Sequence, residues 1–444
     1  MHILSEAWYV FLLLVSSAGV HNGLDLFFKF VPFVVFLELP IYALIMLGVV
    51  RYVLRQEESI PETIPFYPTV SCLITCYSEG YDVQQTILSL AEQRYEGRIE
   101  IIPLIDGAAQ NNQTFKAALE MSRIVTARPR RTLMVIPKWQ RGGRVSSLNA
   151  GLSLANGSVI MALDGDTSFD NDMVRNAIRH FRDSRVVAVA GSLRVRNAFT
   201  NLVTRLQAIE YLLSIHLSKV GLSEFNVVNN ISGAFGIFRR TFLEQIGGWD
   251  TGTAEDLDLT LRIKNYFGRY PDLRIVFEPQ AMGHTDAPDT WRGFFKQRQR
   301  WDGDLYYLYF RKHSLSFSPH LLGWRNLVMQ VWTGIFFQIV MPFVILFYSF
   351  VILLFYPVSF VLGVWILTYV FYLLISSIFF VVYVFFISER KMSDLRLTWV
   401  LLCLPIFILA QRFGNALATL KEITCESHLD SSMAPWWVLR KSKY

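Results

Sequence analysis

Apolar residues are distributed along this chain in two rhythms. Towards the ends they run long and nearly uninterrupted: no formally charged residue lies between Glu6 and Asp25, Val31–Val50 is broken only by Glu38, and none lies between Arg325 and Glu389. A helix needs about 20 apolar residues to cross the hydrocarbon core. The first two runs therefore predict one span each and the third predicts two, hinged near Tyr356-Pro357. Leu397–Leu417, which carries Arg412, predicts either a fifth span or an interfacial helix. Between Thr69 and about Leu315 the rhythm shortens. Val70–Cys76, Ile99–Ile105, Leu133–Ile136, Val159–Leu163 and Val186–Gly191 read as buried strands, with helices such as Asp82–Gln93 and Arg144–Ala155 between them. That alternation predicts an α/β sheet, which binds its ligands at the carboxyl ends of its strands.

Composition places this domain in a membrane protein. Of 444 residues, 52% are hydrophobic and 18% charged, too apolar for an ordinary soluble enzyme. The first run lacks the basic start and small-residue cleavage site of a signal peptide, so it is expected to remain as a span. Arg51 and Arg55 follow the second span, and such residues favour the cytoplasmic side. The central domain is thus expected in the cytoplasm, with the loop around His21–Asp25 outside. Glu38 is the odd member of its run, since a carboxylate inside a span is costly and commonly faces protein or water. The expected division is two N-terminal spans over 1–56, a catalytic domain over 57–315 with an interfacial helix at 290–312, two to three spans over 316–424, and a tail over 425–444. The linker carries Pro61, Pro65 and Pro68; the tail carries Trp436, Trp437 and Lys441. The net charge of +6 suits a protein facing anionic lipid. No nucleic-acid module, internal repeat or appended regulatory domain is visible, and Cys72, Cys76, Cys403 and Cys425 have no zinc spacing.

Candidate chemistry collects at the predicted strand ends: Tyr77-Ser78-Glu79 after the first, Asp106-Gly107 after the second and Asp164-Gly165-Asp166 after the fourth. Three acidic strand ends in one sheet are hard to explain as solvated turns. Two carboxylates about a small residue can engage Mg²⁺ or Mn²⁺ together with phosphate oxygens. Gly142-Gly143-Arg144 offers a glycine-flanked cation suited to phosphate. Ala254-Glu255-Asp256-Leu257-Asp258 opens a predicted helix, Leu257–Phe267, where acids complement the dipole and one could act as general base. Upstream, Ser232-Gly233 permits close backbone approach, and Gly247-Gly248-Trp249-Asp250 offers an aromatic wall. In a helix over Thr290–Phe310, Gln297, Arg300 and Trp301 share one face. A guanidinium fork suits phosphate and a flat ring suits a pyranose, although the same composition describes a membrane-interface anchor. Beyond it, Tyr306, Tyr307, Tyr309, Arg311 and Lys312 suit the headgroup plane.

Taken in order, Asp106, Asp164-Gly165-Asp166, Ala254-Glu255-Asp256 and Gln297-x-x-Arg300-Trp301, with spans on both sides, resemble the membrane-embedded processive family 2 glycosyltransferases. These include the cellulose, chitin and hyaluronan synthases and, nearest in size and layout, the bacterial poly-N-acetylglucosamine synthases. The resemblance implies a GT-A fold that transfers sugar with inversion from a UDP-sugar, UDP-N-acetylglucosamine being the best guess, to a growing polysaccharide exported through the same protein. It implies that Asp106 contacts uridine, that Asp164 and Asp166 hold nucleotide and Mg²⁺ or Mn²⁺, and that Asp256 deprotonates the acceptor. Gln297 and Arg300 would hold pyrophosphate and Trp301 would stack on the acceptor sugar. Tyr77, Glu79 and Arg144 are expected at the donor; Ser232, Gly233 and Glu255 at the acceptor. Ala254 stands where the family usually has Thr, Ser78 where Asn is usual, and Arg144 where Lys is common; Thr285-Asp286-Ala287-Pro288 resembles a Thr-Glu-x-Pro element of the same enzymes. Expected partners are the UDP-sugar, the polysaccharide, membrane lipid and a small membrane accessory subunit or export partner, with no nucleic acid, in a multi-pass protein of the inner membrane. The alternative is a non-processive membrane enzyme making a glycolipid. Intact acids at Asp106, Asp164, Asp166 and Asp256 oppose a third reading, a transporter with a degenerate nucleotide domain.

Overall fold

The computed structural model describes residues 2–17, 34–57, 65–250 and 254–426. The loop around His21–Asp25, Pro61 and the tail with Trp436, Trp437 and Lys441 lie outside the described residues. Among the described residues nine strands form one mixed sheet: β1 (Val70–Cys76), β2 (Ile99–Asp106), β3 (Arg131–Leu133), β4 (Ile136–Lys138), β5 (Val159–Asp164), β6 (Ser168–Phe169), β7 (Val186–Val195), β8 (Phe235–Arg239) and β9 (Arg274–Thr285). They lie in the order β3-β2-β1-β5-β8-β7-β9-β6, with β4 also on β2. β1 pairs in parallel with β2 and β5 through runs of Val, Ile and Leu that are buried on both faces, as strands covered by helices on either side must be. β8 enters antiparallel between β5 and β7, and β6 pairs antiparallel with β9.

Several predicted boundaries move. The apolar run Leu133–Ile136 is divided, with β3 ending at Leu133 and β4 beginning at Ile136, both on the same edge of β2. Pro137 lacks a donor and is tolerated there because the strand lies at an edge. β7 runs four residues beyond the predicted Gly191, because β9 continues alongside it as far as Thr285 through two register shifts. The helix expected over Leu257–Phe267 occupies Glu255–Lys264, and that expected over Thr290–Phe310 runs α-helically from Trp291 to Tyr306 and then as a π-helix over Tyr307–Lys312. Thr290 caps the latter helix by accepting from the Gly293 N–H at 3.2 Å.

Four helices among the described residues are long and apolar enough to cross a membrane: Phe36–Gln56, Pro319–Phe355, Val358–Phe386 and Thr398–Cys425. The break between the second and third falls at Tyr356-Pro357, where proline cannot continue a helix. The described part of the first run is a helix, His2–Ser17, which contains the shorter apolar stretch Leu4–Leu13. Helix Leu39–Glu57 docks directly on the catalytic domain. A Cβ on Gly48 would lie 2.1 Å from the Gly221 carbonyl oxygen, so the crossing with helix Ser218–Glu224 exists only because neither position carries a side chain. Arg55, expected merely to mark the cytoplasmic side, pairs with Glu224 of that same helix at 2.6 Å. Glu38 faces protein, accepting from Tyr42 at 3.3 Å and Tyr372 at 2.7 Å. Helix Leu404–Cys425 packs along Trp291–Tyr306, with Phe407 against Phe294 at 5.1 Å between ring centroids.

Candidate functional site

The sheet delivers its acids to one end, and Arg144 gathers them. This side chain follows the Gly142-Gly143 turn at the start of helix Gly143–Leu154, and its Nη1 donates to Asp164 at the end of β5 and to the Thr75 hydroxyl at 2.6 Å. Its Nη2 donates to the Gly233 carbonyl, and Nε lies 2.6 Å from Glu255. Asp164 and Glu255, which the sequence separates by ninety residues, are thereby held by one guanidinium. Although burial opposes charging Arg144, the carboxylates hold it firmly protonated. Burial pushes the Glu255 carboxyl up to about 7, with Arg144 pulling the other way and Asp256 adding to the rise.

Asp256 sits beside this cluster at the start of helix Glu255–Lys264. Its Oδ2 accepts from the Gly233 N–H at 3.0 Å and from the Asn230 side chain at 3.2 Å, and Oδ1 accepts from the Leu257 N–H at 2.7 Å. The close approach expected of Ser232-Gly233 is present: a Cβ on Gly233 would lie 3.1 Å from Glu255 Oε1. Asp258, two residues on, does different work. It takes Arg262 at 2.8 Å, Lys312 at 2.8 Å and His313 at 2.7 Å, the last two tying helix Glu255–Lys264 to the end of the segment Tyr307–Lys312. Burial opposes its ionisation, but those three partners hold the carboxyl well below the usual range.

At the carboxyl end of β2, Asp106 is 5% exposed and its carboxylate is occupied. It accepts from Lys138 at 2.8 Å and from the backbone N–H groups of Gly142 and Gly143 at 2.8 and 2.9 Å. Here Asp106 shapes the loop that presents Arg144, and Lys138, which no sequence motif marks, also donates to the Ser147 hydroxyl at 3.0 Å. Glu79 folds back to accept from the Tyr77 N–H at 2.7 Å, and burial, reinforced by Asp166 and Asp164, lifts its carboxyl to about 7. The Tyr77 ring is covered by Arg141 at 4.3 Å from its centroid. Asp166 is exposed in the cleft, yet surrounding protein mass and Asp164 raise its carboxyl above the ordinary value.

Helix Trp291–Tyr306 carries Gln297, Arg300 and Trp301 together with Arg298. Arg300 is exposed, Trp301 is 39% exposed, and Gln297 has a buried Oε1 without a hydrogen-bond partner among the described residues. The residue that fixes the helix is Arg298. It reaches Glu210 of helix Leu202–Glu210 with both distances at 2.6 Å and lies 4.9 Å over the Trp301 ring. Trp249 does not form an aromatic wall. It is 4% exposed, packed edge-on against Phe238, because Asn149 clamps its backbone at 2.8 and 3.0 Å.

A mixed sheet with acids at the carboxyl ends of β2 and β5, a further acid pair across the cleft, and apolar helices flanking both sides defines a GT-A-type nucleotide-sugar-binding domain attached to a membrane. The match to known proteins makes the assignment specific: the model of "Glycosyltransferase like family 2" covers residues 68–303, more than half of the chain, and the protein belongs to that family. A poly-beta-1,6-N-acetyl-D-glucosamine synthase of Staphylococcus aureus strain COL is 29% identical over 253 residues, 57% of this chain and 58% of that protein. The Staphylococcus epidermidis enzyme of the same name is 31% identical over 245 residues, 52% of this chain and 53% of that protein. The chain thus spans less than two thirds of the length of the curated relatives it matches. Among solved structures, a Pyrobaculum calidifontis mannosyltransferase in complex with GDP-Man and Mn²⁺ superimposes with a TM-score of 0.51 at 15% identity, covering 86% of this chain and 99% of that one, which shows a shared fold.

Proposed function

We propose that this chain is an inverting synthase that transfers a sugar from a UDP-sugar to the end of a growing glycan, with N-acetylglucosamine the first donor to test because the matched staphylococcal relatives carry that sugar in their names. The observation that carries the reading is the cluster in which Arg144 holds Asp164 and Glu255 beside Asp256. It brings a diphosphate-binding acid and a proton acceptor to one cleft, as a displacement at the anomeric carbon requires. In that step the acceptor oxygen bonds to the anomeric carbon, Asp256 takes its proton, and the bond to UDP breaks with its electron pair leaving on the phosphate. Asp256 is suited to the role because two outside donors, Gly233 and Asn230, aim one oxygen while the residue stays partly exposed. Glu255 and Gly233 form the acceptor side, Gln297 and Arg300 face the pyrophosphate, and Trp301 offers its free face to the acceptor sugar.

The donor atoms at Asp164 and Asp166 fit Mg²⁺ or Mn²⁺. They are hard oxygens one residue apart, and Asp164 and Asp166 would hold the ion together with phosphate oxygens of the donor. Such an ion would neutralise charge developing on the departing diphosphate. The reading extends to a multi-pass protein of the cytoplasmic membrane with its catalytic domain inside, supported by Arg51 and Arg55 at the cytoplasmic end of their helix.

A glycolipid product is the second reading, and one observation favours it. The cavity among the spanning helices, about 800 Å³, is lined mainly by residues such as Leu346, Ile352, Val364 and Leu409, with polar groups at Glu38, Tyr372 and Arg412. An acyl or prenyl chain suits such walls better than a hydrated glycan does. The deciding experiment incubates the purified full-length protein in lipid nanodiscs with individual UDP-sugars and Mg²⁺ or Mn²⁺, and analyses the product by mass spectrometry. Long polymer from one donor, lost in excess EDTA, is expected. One sugar on a lipid would refute the synthase and establish the alternative, while full activity in EDTA would remove the metal.

A further inference from the structure

A second cavity, about 390 Å³, lies where the sheet meets the loop after the span Val358–Phe386. Its walls include Ser168 of β6, Arg194 and Arg196 of β7, His284 of β9, and Arg390 and Ser393 of the loop. The reaction described above uses none of them. Two carboxylates also face the space, Asp170 and Asp394, and both are already engaged. Asp170 takes His284 at 2.8 Å and Arg390 at 2.9 Å, and Asp394 takes Arg194 and the Ser388 hydroxyl at 2.5 Å. Arg196 forks onto Asp286 at 3.0 and 2.7 Å. Each of the three guanidiniums therefore already has a carboxylate partner, and what the cavity leaves open is a single buried donor. Arg194 is 7% exposed, and its Nη1 is buried with no hydrogen-bond partner among the described residues. Leaving such a donor unsatisfied is costly, and an anion would supply what it lacks.

The surroundings indicate which anion. Arg390 lies four residues beyond Phe386, where the span ends. Around the basic walls stand exposed apolar side chains: Phe199 at 43%, Met392 at 77% and Trp399 at 50%, the last with Arg205 5.5 Å over its ring. Basic groups interleaved with exposed aromatics at the end of a spanning helix are what a headgroup layer demands. We infer that this cavity binds the phosphate of an anionic lipid headgroup through Arg194, Arg196 and Arg390. A lipid seated there bridges the loop after the third span to β6 and β7, and Ser168 follows Asp166 by only two residues, so membrane composition reaches the edge of the catalytic cleft.

The test uses full-length protein in nanodiscs and native mass spectrometry of lipid retained after extraction, comparing phosphatidylglycerol with phosphatidylcholine, with inorganic phosphate titrated separately. Wild type should retain phosphatidylglycerol in preference to phosphatidylcholine. Arg390→Gln and Arg196→Gln should each retain about tenfold less, the loss of roughly one charge-assisted hydrogen bond. Arg396→Gln, exposed on the same loop and outside the cavity, should retain as much as wild type. Should Arg196→Gln fail to fold for want of its Asp286 pair, Arg390→Gln still decides, because its side chain is half exposed and Asp170 keeps His284. Equal retention of the two lipids, or retention indifferent to Arg390→Gln, overturns the proposal. Binding of inorganic phosphate that Arg390→Gln abolishes, without lipid selectivity, would also overturn the lipid assignment and make free phosphate the ligand.

Discussion

Replacing Arg144 by lysine tests whether one guanidinium organises both halves of the site. The side chain is 15% exposed and meets four groups: Asp164, the Thr75 hydroxyl, the Gly233 carbonyl and Glu255. An ammonium on a flexible stem keeps the charge but cannot span them, so at least two charge-assisted contacts are lost. At about 1.5 kcal/mol each, the low end being appropriate because Asp164 is a third exposed, the loss is about 3 kcal/mol. If the contacts hold the site in its reactive geometry, turnover falls about 10²-fold, since each factor of ten corresponds to about 1.4 kcal/mol. A merely structural role would leave the pH profile unmoved, and the profile supplies the second readout. Arg144 lowers the Glu255 carboxyl from where burial alone would put it. Its removal in Arg144→Gln raises that carboxyl further above about 7, and any rise in rate tied to Glu255 ionisation moves to higher pH. Initial rates of UDP release from pH 6 to 9, with calorimetric stability alongside, measure both effects. Arg144→Lys within twofold of wild type across that range would refute the reasoning.

Asp256→Asn should keep UDP affinity close to wild type by calorimetry while turnover falls about 10² or more, because the amide cannot accept the proton; an equal fall in UDP affinity would make the residue a binding group. Trp301→Ala should keep UDP affinity but shorten the polymer, on the scale of about 1 to 3 kcal/mol borrowed from bases stacked on aromatic rings; polymer of normal length would leave Trp301 as a platform for Arg298 alone. Glu79 titrates near 7 in the fold against 4.5 ordinarily, so the folded state binds its proton more tightly and that stabilisation is lost as pH rises from about 4.5 through about 7. Glu79→Gln should therefore gain stability relative to wild type between pH 5 and pH 8, on the order of 1 kcal/mol after allowance for partial exposure; a melting-temperature difference that stays constant across that range refutes it.

The central strands were legible because a parallel strand covered on both faces must be apolar throughout, and Val70–Cys76 and Val159–Asp164 are. β8 and β9 escaped for physical reasons of their own. Phe235–Arg239 is short and interrupted by glycine, and Gly236 is needed because a Cβ there would lie 2.8 Å from the Phe238 ring. β9 carries Glu278, Gln280 and His284 within its run, so its polarity reads as loop. Those polar groups are satisfied from elements far away in sequence: Glu278 by Arg179 and His180, and His284 by Asp170. A window moved along the chain has no access to such partners.

The same distinction applies to the residues of the candidate site. Asp164, Asp166 and Asp256 stand at strand and helix ends, where local pattern alone marks a carboxylate as unusual. Lys138, Glu210 and Arg298 carry no local signal, since each looks like an ordinary charged residue on a surface. Their roles come from three-dimensional closure: Lys138 occupies Asp106, and Glu210 with Arg298 seats the interfacial helix against the catalytic domain. Asp258 is instructive because its motif is the conspicuous one. It belongs to an acidic run that suggests catalysis, yet Arg262, Lys312 and a hydrogen bond from His313 occupy it, whereas Asp256, two residues earlier, is held by the Gly233 and Leu257 amides and the Asn230 side chain. An acid that is to accept a proton must not be committed to fixed cations. On that criterion, which the sequence cannot supply, Asp256 is the member of the run that the proposed mechanism can use as base.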